Sequence, residues 1–264
     1  MEIWESVLYG AVQGLTEYLP ISSSAHLILL PRFLGRTEPG LSFDVFLHIG
    51  TLLATLLYFR KEWLALARDP LARRGQNAIS ITWIILATLP ALLMGAAMPK
   101  WIATVLRGNA ILMVTLPLGG FLLWGVDHWA KGREKVEQLG IRRAFAVGVF
   151  QCLALVPGMS RSGSTMLGGR FLGLDRGAAA RFSFLISGPI TAAAVVFELR
   201  HWGDLIASFG DAGKIPLVMA LVSSFGFGWL AIDGLLRLVN RLGFAAFAFY
   251  RALLALTIFW YLGV

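Results

Sequence analysis

A single cysteine, Cys152, stands in 264 residues, so no intrachain disulfide can form and no thiolate cage can hold a metal. Charge is scarce as well. Asp, Glu, Lys and Arg make up 14% of the chain, too little to cover the surface of a water-soluble domain. Missing too is a basic N-terminal flank leading to an Ala-x-Ala cleavage site, so the chain from Met1 onward is expected to be the mature form. The net charge of +8 would favour nucleic acid in a soluble protein. Here the Lys and Arg residues lie between apolar stretches, where membrane orientation accounts for them, and no nucleic-acid partner is expected.

What the chain has in abundance is hydrocarbon. Hydrophobic residues make up 57% of it and mean hydropathy is +0.72. Crossing about 30 Å of lipid takes roughly 20 apolar residues as a helix. Stretches of that kind lie near 41–59, 78–98, 109–126, 179–197, 215–236 and 244–264. The fold expected is an all-α integral membrane protein with six full spans, surrounded by membrane lipid.

The first half returns in the second, 138 residues later, with 16 identities in the 57 positions from Ile3 to Phe59 and no gap. Arg32-Phe33-Leu34-Gly35 reappears as Arg170-Phe171-Leu172-Gly173, Gln13 as Gln151, and Ser22 and Ser24 as Ser160 and Ser162. Each half opens with a broken apolar pair too short for two crossings. Ile3 to Glu17 rises only about 22 Å as a helix before Pro20 and three serines stop it. These pairs, about 3–35 and 142–173, read as re-entrant helical hairpins. Non-helical backbone at such depth is tolerated only where protein or a water-filled cavity satisfies it. Three spans follow each hairpin, and an odd number inverts the second half relative to the first. The organisation expected is therefore two inverted-topology repeats, 1–126 and 139–264, joined by a linker at 127–138, with the two broken turns meeting near the midplane.

Arg60, Lys61, Arg68, Arg73 and Arg74 in the loop 60–77, and Lys131, Arg133, Lys135, Arg142 and Arg143 around the linker, fall on one side of this topology. The other side carries Lys100, Arg107, Arg200 and Lys214. By the positive-inside rule the first group is cytoplasmic and both termini lie outside. Trp63, Trp101 and Trp202 near span ends read as interfacial anchors, and Ala192-Ala193-Ala194 as a small-residue packing surface.

Chemistry concentrates at the two breaks. Gln13 and Glu17 share a helix face, and Ser22, Ser23, Ser24 and His26 follow at once. A carboxylate inside an apolar segment costs about 2.5–3.5 kcal/mol on insertion scales and marks function by default. The second break reads Pro157-Gly158-Met159-Ser160-Arg161-Ser162-Gly163-Ser164-Thr165. An arginine there demands an anion, and its planar fork of donors suits phosphate oxygens. Two further readings stay open at this point: Arg161 pairs permanently with Glu17, or the serines serve only as helix caps. Together the turns offer a hydroxyl nucleophile, a carboxylate, an imidazole and a phosphate clamp, a set suited to phosphoryl transfer. His48 has no counterpart in the repeat, which carries Ile186, and reads as structural.

Gln13-x-x-x-Glu17 with Pro20-Ile21-Ser22-Ser23-Ser24-x-His26, followed downstream by Pro157-Gly158-x-Ser160-Arg161-Ser162-x-x-Thr165, closely resembles the undecaprenyl-diphosphate phosphatases of the bacitracin-resistance (BacA/UppP) type. The resemblance spans essentially the whole chain, duplicated layout included. It implies a bacterial inner-membrane enzyme that hydrolyses undecaprenyl diphosphate to the monophosphate and inorganic phosphate. That recycles the lipid carrier for peptidoglycan synthesis, with the site open to the outer side, and confers bacitracin resistance. It assigns Arg161 to diphosphate binding, Glu17 to a metal or acid–base role and Ser23 or His26 to nucleophilic attack. Ser22, Ser24, Ser160, Ser162 and Thr165 are the expected further phosphate ligands. A divalent cation, Mg²⁺ or Ca²⁺, is expected on Glu17 and Gln13. The amide at Gln13, where some relatives carry Glu, is a weaker ligand than a carboxylate. Ala25 replaces the usual Gly before the histidine and would be strained if that backbone needs a positive φ. The mechanism expected is attack by Ser23 with His26 as proton carrier and Glu17 orienting the histidine or the cation, His26 as nucleophile being the competing assignment.

A flippase or transporter of polyprenyl phosphate lipids is the rival from another class, since broken helices in inverted repeats are common in transporters. Lipid phosphatases of the acid-phosphatase type would place a histidine after five intervening residues, where this chain has Leu167. An ion channel is disfavoured by the lack of repeated carbonyl motifs. The oligomeric state, a homodimer included, is left open.

Overall fold

The computed structural model describes residues 2–68, 79–98, 108–203 and 214–262. Arg73, Arg74, Lys100, Trp101 and Arg107 lie outside them. Eleven α-helices are described: α1 (Ile3–Tyr18), α2 (Ser23–Phe33), α3 (Leu41–Tyr58), α4 (Arg60–Arg68), α5 (Ile81–Ala97), α6 (Asn109–Trp129), α7 (Gly140–Gln151), α8 (Arg161–Phe171), α9 (Arg176–Glu198), α10 (Lys214–Leu242) and α11 (Ala245–Leu262). All six expected apolar stretches are helical. Four helices, α3, α6, α9 and α10, are long and apolar enough to cross a membrane, while α5 and the apolar part of α11 have 17 residues each. At 29 residues, α10 is about 43 Å long by helical rise, longer than the hydrocarbon is thick, so it must tilt or project.

Polarity is arranged inside out. Leu53, Leu93, Val114, Leu118, Leu253 and Trp260 face outward, whereas Glu5, Gln13, Glu17, Asp127, Arg170 and Arg251 are buried. Lipid tails are as apolar as leucine, so hydrophobic burial does little to hold such helices together, and close contact between small residues takes over. Gly10 and Gly14 lie on α10, where a Cβ at Gly10 would stand 2.2 Å from the carbonyl oxygen of Ala220. Its repeat partner Gly148 lies on α5, 2.6 Å from the oxygen of Ala87 by the same measure. The expected small-residue surface at Ala192–Ala194 is half-buried to exposed, so the close approach falls on these glycines instead.

The helices exchange partners between halves. In the first half α1 packs on α10, and in the second α7 packs on α5; α3 meets α9, and α6 meets α11. Each broken pair is thus seated on a helix from the other half. The two breaks also share a backbone signature: among the described residues only Ser22 (φ 74) and Ser160 (φ 71) combine a positive φ with a side chain, and they are repeat equivalents. Ala25 sits in helical conformation within α2, completely buried, so the strain considered for it falls on Ser22.

Trp63 packs against Gly188, and Trp202 meets Phe46 edge-on at 5.9 Å; both indole N–H groups are buried.

Gly10→Ala and Gly148→Ala should each lower stability by about 1–3 kcal/mol, the usual cost of overpacking. Gly226→Ala in α10, where a Cβ meets nothing within 4 Å, should instead gain about 0.5–1 kcal/mol. Thermal unfolding in detergent would read the opposite signs.

Candidate functional site

Glu17 ends α1 one residue before the helix stops, and its carboxylate is the centre on which both turns converge. Arg161 Nη2 lies 2.7 Å from Oε1, joining residues 144 apart in sequence. Ser23 Oγ donates to Oε2 at 2.6 Å, and Gln13 Nε2 donates to the same oxygen at 3.1 Å from one turn earlier on α1. His48 of α3 brings Nε2 to 3.4 Å from Oε2 while its Nδ1 donates to the Asp44 carbonyl at 2.7 Å. Tyr18 fixes the end of α1 to α3, its hydroxyl donating to the Thr51 carbonyl and accepting from Thr55 Oγ1 at 2.7 Å. The Glu17 side chain is 5% exposed and that of Arg161 15%, so the pair sits in protein but opens on the arginine side.

The helix starts at the two breaks differ. Ser160 caps α8, its Oγ accepting from Gly163 N at 3.1 Å. Ser162 Oγ donates to the Leu19 carbonyl at 3.0 Å, tying the second turn to the first, and Thr165 Oγ1 is 2.6 Å from Ser183 Oγ and 2.9 Å from the Arg161 carbonyl. All three hydroxyls are buried and committed within the protein, which turns the expectation of phosphate ligation for Ser160, Ser162 and Thr165 toward capping and bracing. Ser22, by contrast, makes no side-chain cap on α2, and Ser24 is exposed, 3.2 Å from Ser22 Oγ. The first-turn N–H groups of α2 are therefore unclaimed by their cap side chain.

His26 does not join Ser23. Its Nδ1 donates to the Ser22 carbonyl at 2.7 Å, and its Nε2 lies 2.7 Å from the Tyr250 hydroxyl. The proton of Ser23 goes to Glu17, so the expected His26 relay has no hydrogen bond behind it: α2 turns residue 26 away from residue 23 toward α11. Sequence reasoning took His48 as structural because the repeat lacks it, and passed over Tyr250 and Arg251. The signal for Arg251 was visible, a lone arginine in the middle of an apolar span.

The donor set fits a resident divalent cation poorly. Glu17 is the carboxylate at this centre, its oxygens already face a guanidinium and three further groups, and the neighbouring Gln13 Oε1, which like Gln151 Oε1 and Ser164 Oγ is buried without a partner, is an uncharged amide oxygen. Mg²⁺ or Ca²⁺ requires about six or more oxygens, several of them charged. Among the described residues no three His, Cys, Asp or Glu side chains cluster as metal ligands.

Arg161→Met leaves Glu17 buried without its cation and should cost about 3–5 kcal/mol, the usual range for half of a buried pair. Adding Glu17→Gln should recover part of that loss, and a thermal-unfolding double-mutant cycle in detergent measures the coupling.

The comparisons with known proteins run along the same residues. The sequence is 44% identical over 265 residues to a protein of Gemmatimonas aurantiaca named undecaprenyl-diphosphatase, an alignment that covers 98% of this chain and 97% of the relative. The profile of the family described as bacitracin resistance protein BacA matches residues 6–257, which run from the first turn of α1 through most of α11 and include both turns. With a match over nearly its full length, the chain belongs to the BacA family.

Proposed function

We propose that this multi-pass membrane protein is an undecaprenyl-diphosphate phosphatase that releases inorganic phosphate and returns the monophosphate carrier to cell-wall synthesis, the activity by which its family confers bacitracin resistance. The name of the Gemmatimonas relative supports the substrate. The observation that carries the chemistry is the chain Ser23–Glu17–Arg161, with contacts of 2.6 and 2.7 Å on the two oxygens of one buried carboxylate.

In this reading the terminal phosphoryl group rests on the first turn of α2, whose N–H groups and positive dipole end favour an anion. Ser23 Oγ attacks the terminal phosphorus as its proton passes to Glu17, and the bridging P–O bond breaks to release the lipid monophosphate. Water then attacks the phosphoserine, inorganic phosphate leaves, and Glu17 returns the proton to Ser23. Arg161 exchanges part of its contact with Glu17 for the equatorial oxygens and stabilises the charge that spreads there. His48 and Gln13 hold the carboxylate in place. Any divalent cation arrives on the diphosphate, whose oxygens supply the hard ligands the protein lacks, as part of the substrate.

The architecture proposed is six spans and two re-entrant hairpins in inverted repeats, in the bacterial inner membrane, with both termini and the opening of the site outside. The exchange of helix partners between halves supports the inversion. Arg181 pairs with Glu62 at 3.4 Å and Glu137 at 2.7 Å, which draws α4 and the linker, the two basic segments, onto the same end of α9 and supports a common cytoplasmic face.

Ser23→Ala should reduce phosphate release from the lipid diphosphate in detergent by about 10²-fold or more, and the trapped phosphoenzyme should survive acid. An acid-labile adduct would transfer attack to His26; intact Ser23→Ala activity would remove the serine from the reaction. Wild type that releases no phosphate in detergent would leave lipid translocation as the better reading. Purified protein should carry less than stoichiometric Mg²⁺ or Ca²⁺ by elemental analysis, and a tightly retained equivalent would restore a resident metal.

A further inference from the structure

Among the described residues the innermost cation is neither Arg161 nor a surface residue but Arg251, which has no accessible surface. It stands in the middle of α11, and every contact given for it runs to a backbone carbonyl. Nε donates to Leu116 at 2.7 Å, Nη1 to Pro20 at 3.2 Å, and Nη2 to Gly158 at 2.7 Å, Thr115 at 3.2 Å and Met159 at 3.3 Å. No carboxylate balances it among the ion pairs of the described residues. A charge this deep is retained where its geometry is needed, and five carbonyl contacts from one planar fork are a matter of geometry.

The location of those carbonyls gives the reason. Pro20 stands two residues before Ser22, while Gly158 and Met159 directly precede Ser160, and these are the two serines held at positive φ. One guanidinium thus grips both breaks just upstream of their strained residue. The adjacent Tyr250 places its hydroxyl 2.7 Å from His26 Nε2, so consecutive residues of α11 touch both turns. Strained backbone persists only where its surroundings over-determine it. The strain matters because Ser22 and Ser160 immediately precede Ser23 and Arg161, the residues that meet on Glu17.

We propose that Arg251 is a positioning residue for the phosphatase reaction, a clasp that sets the register between the two turns and thereby the meeting of Ser23 and Arg161 on Glu17. It does not touch the substrate. The inference rests on the site reading given above, and its test is arranged to separate the two. Lysine at this position keeps the charge but cannot span three chain segments. Gly119→Ala keeps every donor and acceptor and places a methyl 2.3 Å from Nη2, pushing the fork aside.

Phosphate release by folded, monodisperse Arg251→Lys and Gly119→Ala would be measured well below their melting temperatures, beside Arg161→Ala. For the two clasp variants kcat should fall about tenfold or more while KM changes less than about threefold, since misplaced reacting groups cost the transition state more than binding. Wild-type kcat in either folded variant, beside an inactive Arg161→Ala, would overturn the clasp alone; a fully active Arg161→Ala would overturn the site. If Arg251→Lys does not fold, Gly119→Ala decides. Should even that single methyl prevent folding, Arg251 is a requirement of the fold and the positioning role is refuted.

Discussion

A carboxylate enclosed in an apolar helix bundle has to be answered by positive charge and hydrogen-bond donors, and for Glu17 the answer comes from the other half of the chain. Arg161, 144 residues away, closes the pair at 2.7 Å. Desolvating both groups costs several kcal/mol each, an expense that only good geometry and further hydrogen bonds offset. Gln13, Ser23 and His48 supply them, and to do so α1, α2 and α3 must converge on one point. Much of the local architecture around the turns follows from that requirement. Tyr18 locks the end of α1 to α3, and Ser162 ties the second turn to the carbonyl of Leu19 in the first.

The same pair is the centre of the proposed reaction. In that reading a serine hydroxyl beside a carboxylate that also holds a guanidinium would have its proton acceptor and its phosphate clamp within one contact shell. The arginine would then have only to share its donors with a second anion. The two helix starts divide the work, since α8 is capped by its own serine and α2 is not. The two turns are similar in sequence, but the hydroxyl at the second caps its own helix and the one at the first does not.

The packing of the bundle is consistent with this division. Glycines let the broken pairs lie directly on helices of the opposite half, where lipid gives no hydrophobic force to hold them. The strained serines sit at matching places in the two breaks, so the strain belongs to the repeated turn itself. Arg251 lies between these breaks in a helix that carries none of the recognisable motifs.

Composition and periodicity suffice to read an apolar helical protein, its duplication and both broken turns from the chain, because lipid solvation imposes long apolar runs and because repeats at a fixed offset need no structure to detect. Motif spacing likewise picks out Glu17, Ser23, His26 and Arg161. What spacing cannot supply is which of these side chains meet. Ser23 and His26 are three residues apart and read from spacing as a pair, yet the helix start sends one to Glu17 and the other to Tyr250. His48, set aside for lacking a repeat partner, reaches the carboxylate because α3 crosses α1 at that level. Arg251 gains its meaning only from three carbonyl-bearing segments far apart in sequence. Local sequence determines which segments are helical and where they break; the fit of helices from different halves decides which polar groups satisfy one another once water is excluded, and the candidate chemistry of this protein resides in that fit.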